Sequence, residues 1–158
     1  MLSYIDIEYA TYHVDRNMYV AERWSTLSDS QKNRYLNHSA LLVDEAYIYA
    51  GRKIDVAQIM EFPRFFEEGY ILNGDIPLDI KVAQQLILSY ILTLEDYEEV
   101  IKVAKLGVKD LSDKIGLKAD QGFRQIPVEA AMLLFPYSRM GWALRAKYPL
   151  DYGKYEAL

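Results

Sequence analysis

Apolar residues recur along most of this chain at three- and four-residue steps, the spacing of one face of an α-helix. Near the start, Ile5, Tyr9 and Tyr12 keep that step, with Asp6 and Glu8 in the first turn. This predicts a short helix ending around Asp15 to Asn17. Met18 to Trp24 reads as a second short helical piece. Ser28 followed by Gln31 is a capping-box pattern. Behind it Tyr35, Leu36, Ser39, Leu42, Val43, Ala46, Tyr47 and Ala50 form an amphipathic stripe, with Gly51 placed to end the helix.

Periodicity is lost from Arg52 to Asp75, a stretch punctuated by Pro63, Gly69, Asn73 and Gly74, which predicts a long loop. Asp75-Ile76-Pro77 restarts the chain, with Pro77 suited to the first helical position. Ile80, Ala83, Ile87, Tyr90, Leu94, Tyr97, Ile101 and Ala104 then make one stripe. Between Ile80 and Leu94 the segment is apolar almost all round, so it is central or covered by a neighbouring subunit. Unbroken from Pro77 to Ala104 it would run about 40 Å; Thr93 is where a break would fall. Past Gly107, VKDLSDKIGLKAD alternates in short pieces around Gly116 and predicts a small strand pair. Ile126-Pro127 repeats the start signal, Val128 to Leu134 is a short apolar helix, and Phe135-Pro136 ends it. The tail carries Trp142, Leu144, Tyr148 and Tyr152 at too few periodic positions for a core helix, and reads as an arm that orders on a partner. The expected fold is mainly α: a small helical bundle around one long central helix, with a short β-hairpin and an extended C-terminal arm. Residues 1–136 form the domain and 137–158 the arm.

Composition narrows the function. With 158 residues, 51% of them apolar, the chain can bury one real core. It has no cysteine, which excludes disulfides and thiolate metal sites. No apolar run is long enough to span a bilayer and MLSYIDIEYA lacks a signal-peptide pattern, so no membrane role is expected. The net charge of −5 argues against general phosphate binding. Acids crowd the middle (Glu61, Glu67, Glu68, Asp75, Asp79, Glu95, Asp96, Glu98, Glu99), while Arg139, Arg145, Lys147 and Lys154 make the end mildly basic. The 14 tyrosines suit either a core rim or surfaces that meet partners.

Catalytic chemistry is missing. There is no phosphate-cradling glycine loop. The only histidines, His13 and His38, have no histidine or carboxylate partner at helical metal spacing. The Glu95–Glu99 cluster lacks the histidine of a di-iron motif, and no serine sits in a nucleophile elbow. No enzyme activity, cofactor or metal is expected.

The unusual stretch is GRKIDVAQIMEFPR, Gly51 to Arg64. On one reading it is a structural clasp built from Asp44, Gly51, Arg52, Phe62, Pro63 and Arg64. Arg52 or Arg64 reaches back to Asp44, Phe62 buries its ring and Pro63 fixes the backbone. On the other, Arg52, Lys53 and Arg64 touch DNA phosphates, a poor site among so many acids.

The series Tyr12, Trp24, Leu27, Lys32, Leu36, Ala40, Asp44, GRK at Gly51–Lys53, FPR at Phe62–Arg64, and Ile76-Pro77 followed by Lys81 and Ala83 resembles the head–tail connector (adaptor) proteins of tailed bacteriophages. That family is often labelled in genomes as DnaT-like single-stranded DNA-binding protein. The resemblance covers about the first two thirds of the chain, and SDKIGLKAD is similar to the short strand segment after the long helix in such proteins.

The resemblance implies a non-enzymatic structural protein of the phage neck, assembled in the host cytoplasm. Its ring, usually a dodecamer, docks on the portal, extends the DNA channel and receives a tail or second connector (stopper) protein; DNA passes through without sequence-specific binding. It also implies a portal-docking arm, here drawing on Tyr137, Arg139, Trp142, Leu144, Arg145, Tyr148, Tyr152 and Tyr155, though the arm matches no family pattern residue by residue. Glu95, Asp96, Glu98 and Glu99 would suit a channel lining that repels phosphates. The alternative is a single-stranded DNA-binding module, for which Arg16, Arg23, Trp24, Arg34 and Tyr35 would supply cations and stacking rings.

Overall fold

The computed structural model describes residues 2–14, 16, 18–66, 75–94, 126–141 and 143. In chain order the described elements are helices α1 (Ile7–Val14), α2 (Met18–Thr26) and α3 (Asp29–Ala46), strands β1 (Arg52–Lys53) and β2 (Arg64–Phe65), helices α4 (Leu78–Thr93) and α5 (Val128–Leu134), and a 3-10 turn, Phe135–Tyr137. The fold is mainly helical, as the periodicity predicts, and its one small antiparallel hairpin among the described residues falls in the stretch expected to be loop.

Local chemistry sets the helix starts. Asp6 Oδ1 accepts from the Tyr9 N–H at 2.7 Å and opens α1. The capping box of α3 is formed: the Ser28 N–H donates to Gln31 Oε1 at 2.9 Å, and the Gln31 N–H to Ser28 Oγ at 3.4 Å. Pro77 and Pro127 cap α4 and α5 and sit one residue before the helix, not inside it. Their missing N–H groups leave nothing unsatisfied there.

Helix α4 is central, packing against α1, α2, α3 and α5. Ile80, Ala83, Ile87, Leu88, Ile91 and Leu92 are all buried, which explains why its sequence is apolar nearly all round. It ends at Thr93, so it does not run on unbroken towards Ala104 but takes the break that the sequence allowed there. Leu94 is extended, and Arg23 donates to the Leu92 and Leu94 carbonyls at 2.9 and 2.6 Å, satisfying acceptors the helix end leaves open. The expected continuation to Ala104 and the expected strand pair in VKDLSDKIGLKAD lie outside the described residues.

Three expectations change. Helix α3 stops at Ala46, with Tyr47 extended, because Tyr49 turns into the core and joins Ser138 in an antiparallel bridge. Gly51 is therefore no helix cap; its φ of +69° turns the chain into β1. The stretch from Arg52 onward is not simply loop, since β1 and β2 pair with Arg52 opposite Phe65 and Lys53 opposite Arg64. Two-residue strands carry too short an alternation to register in a sequence. Finally, the arm does not start at Tyr137. That residue is buried, its hydroxyl donates to Asp79 Oδ2 at 2.9 Å, and its ring meets Phe62 edge-on at 5.9 Å. The Ala50 N–H donates to the Tyr137 carbonyl at 2.8 Å and the Arg139 N–H to the Ile48 carbonyl at 2.9 Å, so the chain through Arg139 belongs to the domain.

One polar group lies in the centre of this apolar packing. Gln84 of α4 is fully buried. Its Oε1 accepts from the Tyr4 N–H at 2.9 Å, and its Nε2 faces Ser3 Oγ, the Leu36 carbonyl and Ser39 Oγ at 2.7, 3.0 and 3.0 Å. One amide thus joins the N-terminal segment, α3 and α4. Replacing it with an apolar residue of similar volume strands the buried Tyr4 N–H and strips the Ser3 and Ser39 hydroxyls of a donor, while the Leu36 carbonyl keeps the Ser39 hydroxyl; a buried group left unmet costs about 1–3 kcal/mol. Gln84→Met should lower the unfolding free energy by about 3 kcal/mol in urea titrations; a loss below about 1 kcal/mol would show that the amide is dispensable.

Candidate functional site

Among the described residues, the hairpin and the loop between its strands, residues 51–66, are the most elaborately held surface feature. Arg64 is the organiser, although its side chain is only 8% exposed. Its Nε donates to the Ala50 carbonyl at 2.7 Å, and its Nη2 faces the Gly51 and Tyr49 carbonyls at 2.9 and 3.4 Å. Its Nη1 pairs with the Glu61 carboxylate. The opposite oxygen of Glu61 takes Lys53 Nζ at 3.0 Å, and that ammonium also reaches the Gln58 and Ile59 carbonyls at 3.3 and 3.2 Å. Gln58 Nε2 donates to the Met60 and Pro63 carbonyls at 2.8 and 3.1 Å, and Asp55 Oδ1 accepts from the Ala57 N–H at 2.8 Å. The loop therefore satisfies its own backbone through side chains.

A second set of contacts fastens the hairpin to the bundle. Phe62 is buried, with edge-on rings of Tyr4, Tyr49 and Tyr137 at 6.0, 4.8 and 5.9 Å. The Tyr4 hydroxyl accepts from the Phe62 N–H at 3.2 Å and donates to Asp44 of α3. Burial pushes the Asp44 carboxyl above its ordinary value, against the Tyr4 hydroxyl and the Glu61 N–H, which favour the anion. Burial, with Asp44 nearby, also raises the Tyr4 and Tyr49 phenols far above theirs.

The geometry redistributes the roles expected of the Gly51–Arg64 stretch. Asp44, Gly51, Phe62, Pro63 and Arg64 come together at the base of the hairpin, but neither arginine pairs with Asp44. Arg64 takes backbone carbonyls and Glu61 instead, and Asp44 takes Tyr4. Arg52 is exposed and stacks on the Phe65 ring at 5.0 Å. The reason is local: Glu61 is three residues from Arg64 and needs no reach across the domain. Lys53, Gln58 and Glu61 contribute as much as the predicted residues. Only a chain already folded back on itself brings them together, so spacing could not reveal them.

The proposed base-stacking groove does not form from its expected members. Trp24 and Tyr35 are buried, with Trp24 Nε1 donating to Thr11 Oγ1 at 2.9 Å. Arg23 serves the end of α4. Arg34 is exposed, and Arg16 lies over the exposed Tyr12 ring at 5.0 Å. Of the residues named for portal docking, Tyr137 is core and Arg139 is exposed; Trp142, Leu144, Arg145, Tyr148, Tyr152 and Tyr155 lie outside the described residues. So do Glu95, Asp96, Glu98 and Glu99.

The tip of the loop is what the site presents outward. Val56 is completely exposed (101%) and Ile59 nearly so (74%), with Ile54 half exposed beside them. Branched aliphatic side chains held out on a self-bonded loop are a preorganised contact surface.

Two measurements probe this site. A lysine at Arg64 cannot aim donors at three carbonyls and a carboxylate at once, so Arg64→Lys should cost about 2–4 kcal/mol. It should also speed amide exchange across residues 51–66 before the helices are affected, a pattern a uniform loss of protection would contradict. Because the folded-state pKa of Asp44 is raised, its contribution to stability is fully present below the ordinary carboxylate value of 3.8 and is lost as pH rises through the folded value. Asp44→Asn removes that loss. In denaturation series across weak acid, the variant should gain on the native protein as pH rises and then hold its advantage; parallel curves would refute the buried-carboxyl account.

Comparison with known proteins places most of the chain in one family. The curated proteins give no match, and neither do the solved structures. A family model described as "Putative DnaT-like ssDNA binding protein" matches residues 2–117, which takes in α1 to α4 and the whole hairpin. The chain therefore belongs to the family that carries this description, "Putative DnaT-like ssDNA binding protein".

Proposed function

We propose that this chain is a structural, non-enzymatic adaptor of the neck of a tailed bacteriophage. Copies of it form a ring on the portal that extends the DNA channel towards a tail or second connector protein. The observation that carries this reading is the stitched hairpin, whose buried arginine holds backbone and whose exposed tip is aliphatic. Such a surface meets protein, not phosphate or base. The ordered resemblance from Tyr12 to Ala83 supplies the phage setting. Among the described residues, no cluster of three or more His, Asp or Glu side chains could hold a metal ion, and no helix is long and apolar enough to cross a membrane.

The second reading, a single-stranded DNA-binding module, is favoured by the family's description. Among the described residues the exposed Tyr12, Arg16, Tyr19 and Arg34 remain for it, since Trp24 and Tyr35 are buried and Arg23 is engaged. Such a set in a chain of net charge −5 would give a weak, salt-sensitive site.

The two readings separate in one pair of measurements. The protein is co-sedimented with assembled portal rings, beside a version ending at Ala143, because an earlier stop would remove core. In parallel, a fluorescent single-stranded oligonucleotide is titrated by anisotropy from low to physiological salt. Pelleting with the portal and weak, salt-abolished oligonucleotide binding are expected. Tight oligonucleotide binding that survives physiological salt, without pelleting, would replace the adaptor reading by the second one.

A further inference from the structure

Two exposed apolar surfaces on this chain have matching character. One is the hairpin tip, Ile54, Val56 and Ile59, flanked by the exposed Arg52. The guanidinium of Arg52 lies on the Phe65 ring, and no acidic partner faces it among the described residues. The other is the outer face of α5. Val128 and Met132 are four residues apart, hence stacked on one side of the helix, and both are exposed (54% and 70%). Glu129 beside them is exposed, with no basic partner among the described residues. Val56 is fully exposed, so its side chain is not covered by α5 within one molecule.

We infer that the hairpin tip of one copy docks on the Val128–Met132 face of α5 in the next copy, with Arg52 of the first facing Glu129 of the second. Apolar side chains cover each other, and the two charges are opposite in sign. Two different patches of one chain meeting in this way make a heterologous contact, which leaves a free tip and a free face on every pair. Such contacts propagate and close into rings when the rotation per step divides a full turn. The hairpin suits the role because it is already ordered: Arg64, Lys53 and Gln58 hold the loop before any partner arrives, so little ordering entropy is lost on docking. This inference names the interface of the ring proposed above and rests on that reading for its closure. The contact itself does not depend on the portal.

The chain has no cysteine, so disulfide trapping has no background. A tagged Val56→Cys protein and an untagged Met132→Cys protein are mixed and oxidised, beside a control mixture of Val56→Cys with Met18→Cys, another exposed position. The docked pair should yield the mixed dimer about ten-fold over the control, because a specific interface raises the local concentration of the two thiols above random collision. Adding Glu129→Arg to the Met132→Cys protein should suppress trapping, and adding Arg52→Glu to its partner should restore it. A mixed-dimer yield equal to the control, or trapping untouched by the charge changes, overturns the inference. The portal assay reads separately. Pelleting without trapping keeps the adaptor and discards this interface; trapping without pelleting keeps the interface and discards the adaptor.

Discussion

The buried amide of Gln84 is the constraint the rest of this fold answers to. An apolar helix as uniform as α4 could rotate about its axis or slide one turn and still bury its surface, because the hydrophobic effect has no direction. Gln84 removes that freedom. Its carbonyl must meet the Tyr4 N–H, and its NH2 must meet the Leu36 carbonyl with the Ser3 and Ser39 hydroxyls, or polar groups are stranded in the core. Only one rotation of α4 against α3 and the N-terminal segment satisfies all of them.

From that fixed point a line of contacts runs to the surface. Tyr4, held at its backbone by Gln84, reaches with its hydroxyl to Asp44 and the Phe62 N–H. Phe62 anchors the ring cluster of Tyr49 and Tyr137, and Arg64 beside it gathers the carbonyls of residues 49–51. The core specifies the base of the hairpin, the base specifies the loop, and the loop holds Ile54, Val56 and Ile59 outward. An interaction surface placed on so rigid a chain of supports spends little entropy when it meets its partner.

The cations follow the same logic. A guanidinium next to an aromatic ring in a sequence suggests nucleic-acid contact, yet here Arg23 and Arg64 donate to main-chain carbonyls and Arg52 stacks on Phe65. Arginine is the side chain best able to serve several carbonyl acceptors at once. In a small helical domain with an irregular hairpin, unmet carbonyls are the more pressing need. The membership of this chain in a family described by ssDNA binding thus coexists with a described surface whose most prominent feature is aliphatic.

The sequence by itself determined what depends on near neighbours. The capping box at Ser28 and Gln31, the prolines before α4 and α5, and the uniform apolarity that makes α4 central are all legible, because caps and helical faces are set by residues three or four apart. Tertiary structure decided what depends on residues far apart in the chain. Helix α3 ends at Ala46, not at Gly51, because Tyr49 pairs with Ser138. Tyr137 belongs to the core, not to an arm, because Asp79 and Phe62 wait for it. Asp44 serves Tyr4 and not an arginine, since Glu61 lies closer to Arg64. None of these partnerships leaves a periodic trace. Most join residues that become neighbours only when the core has closed.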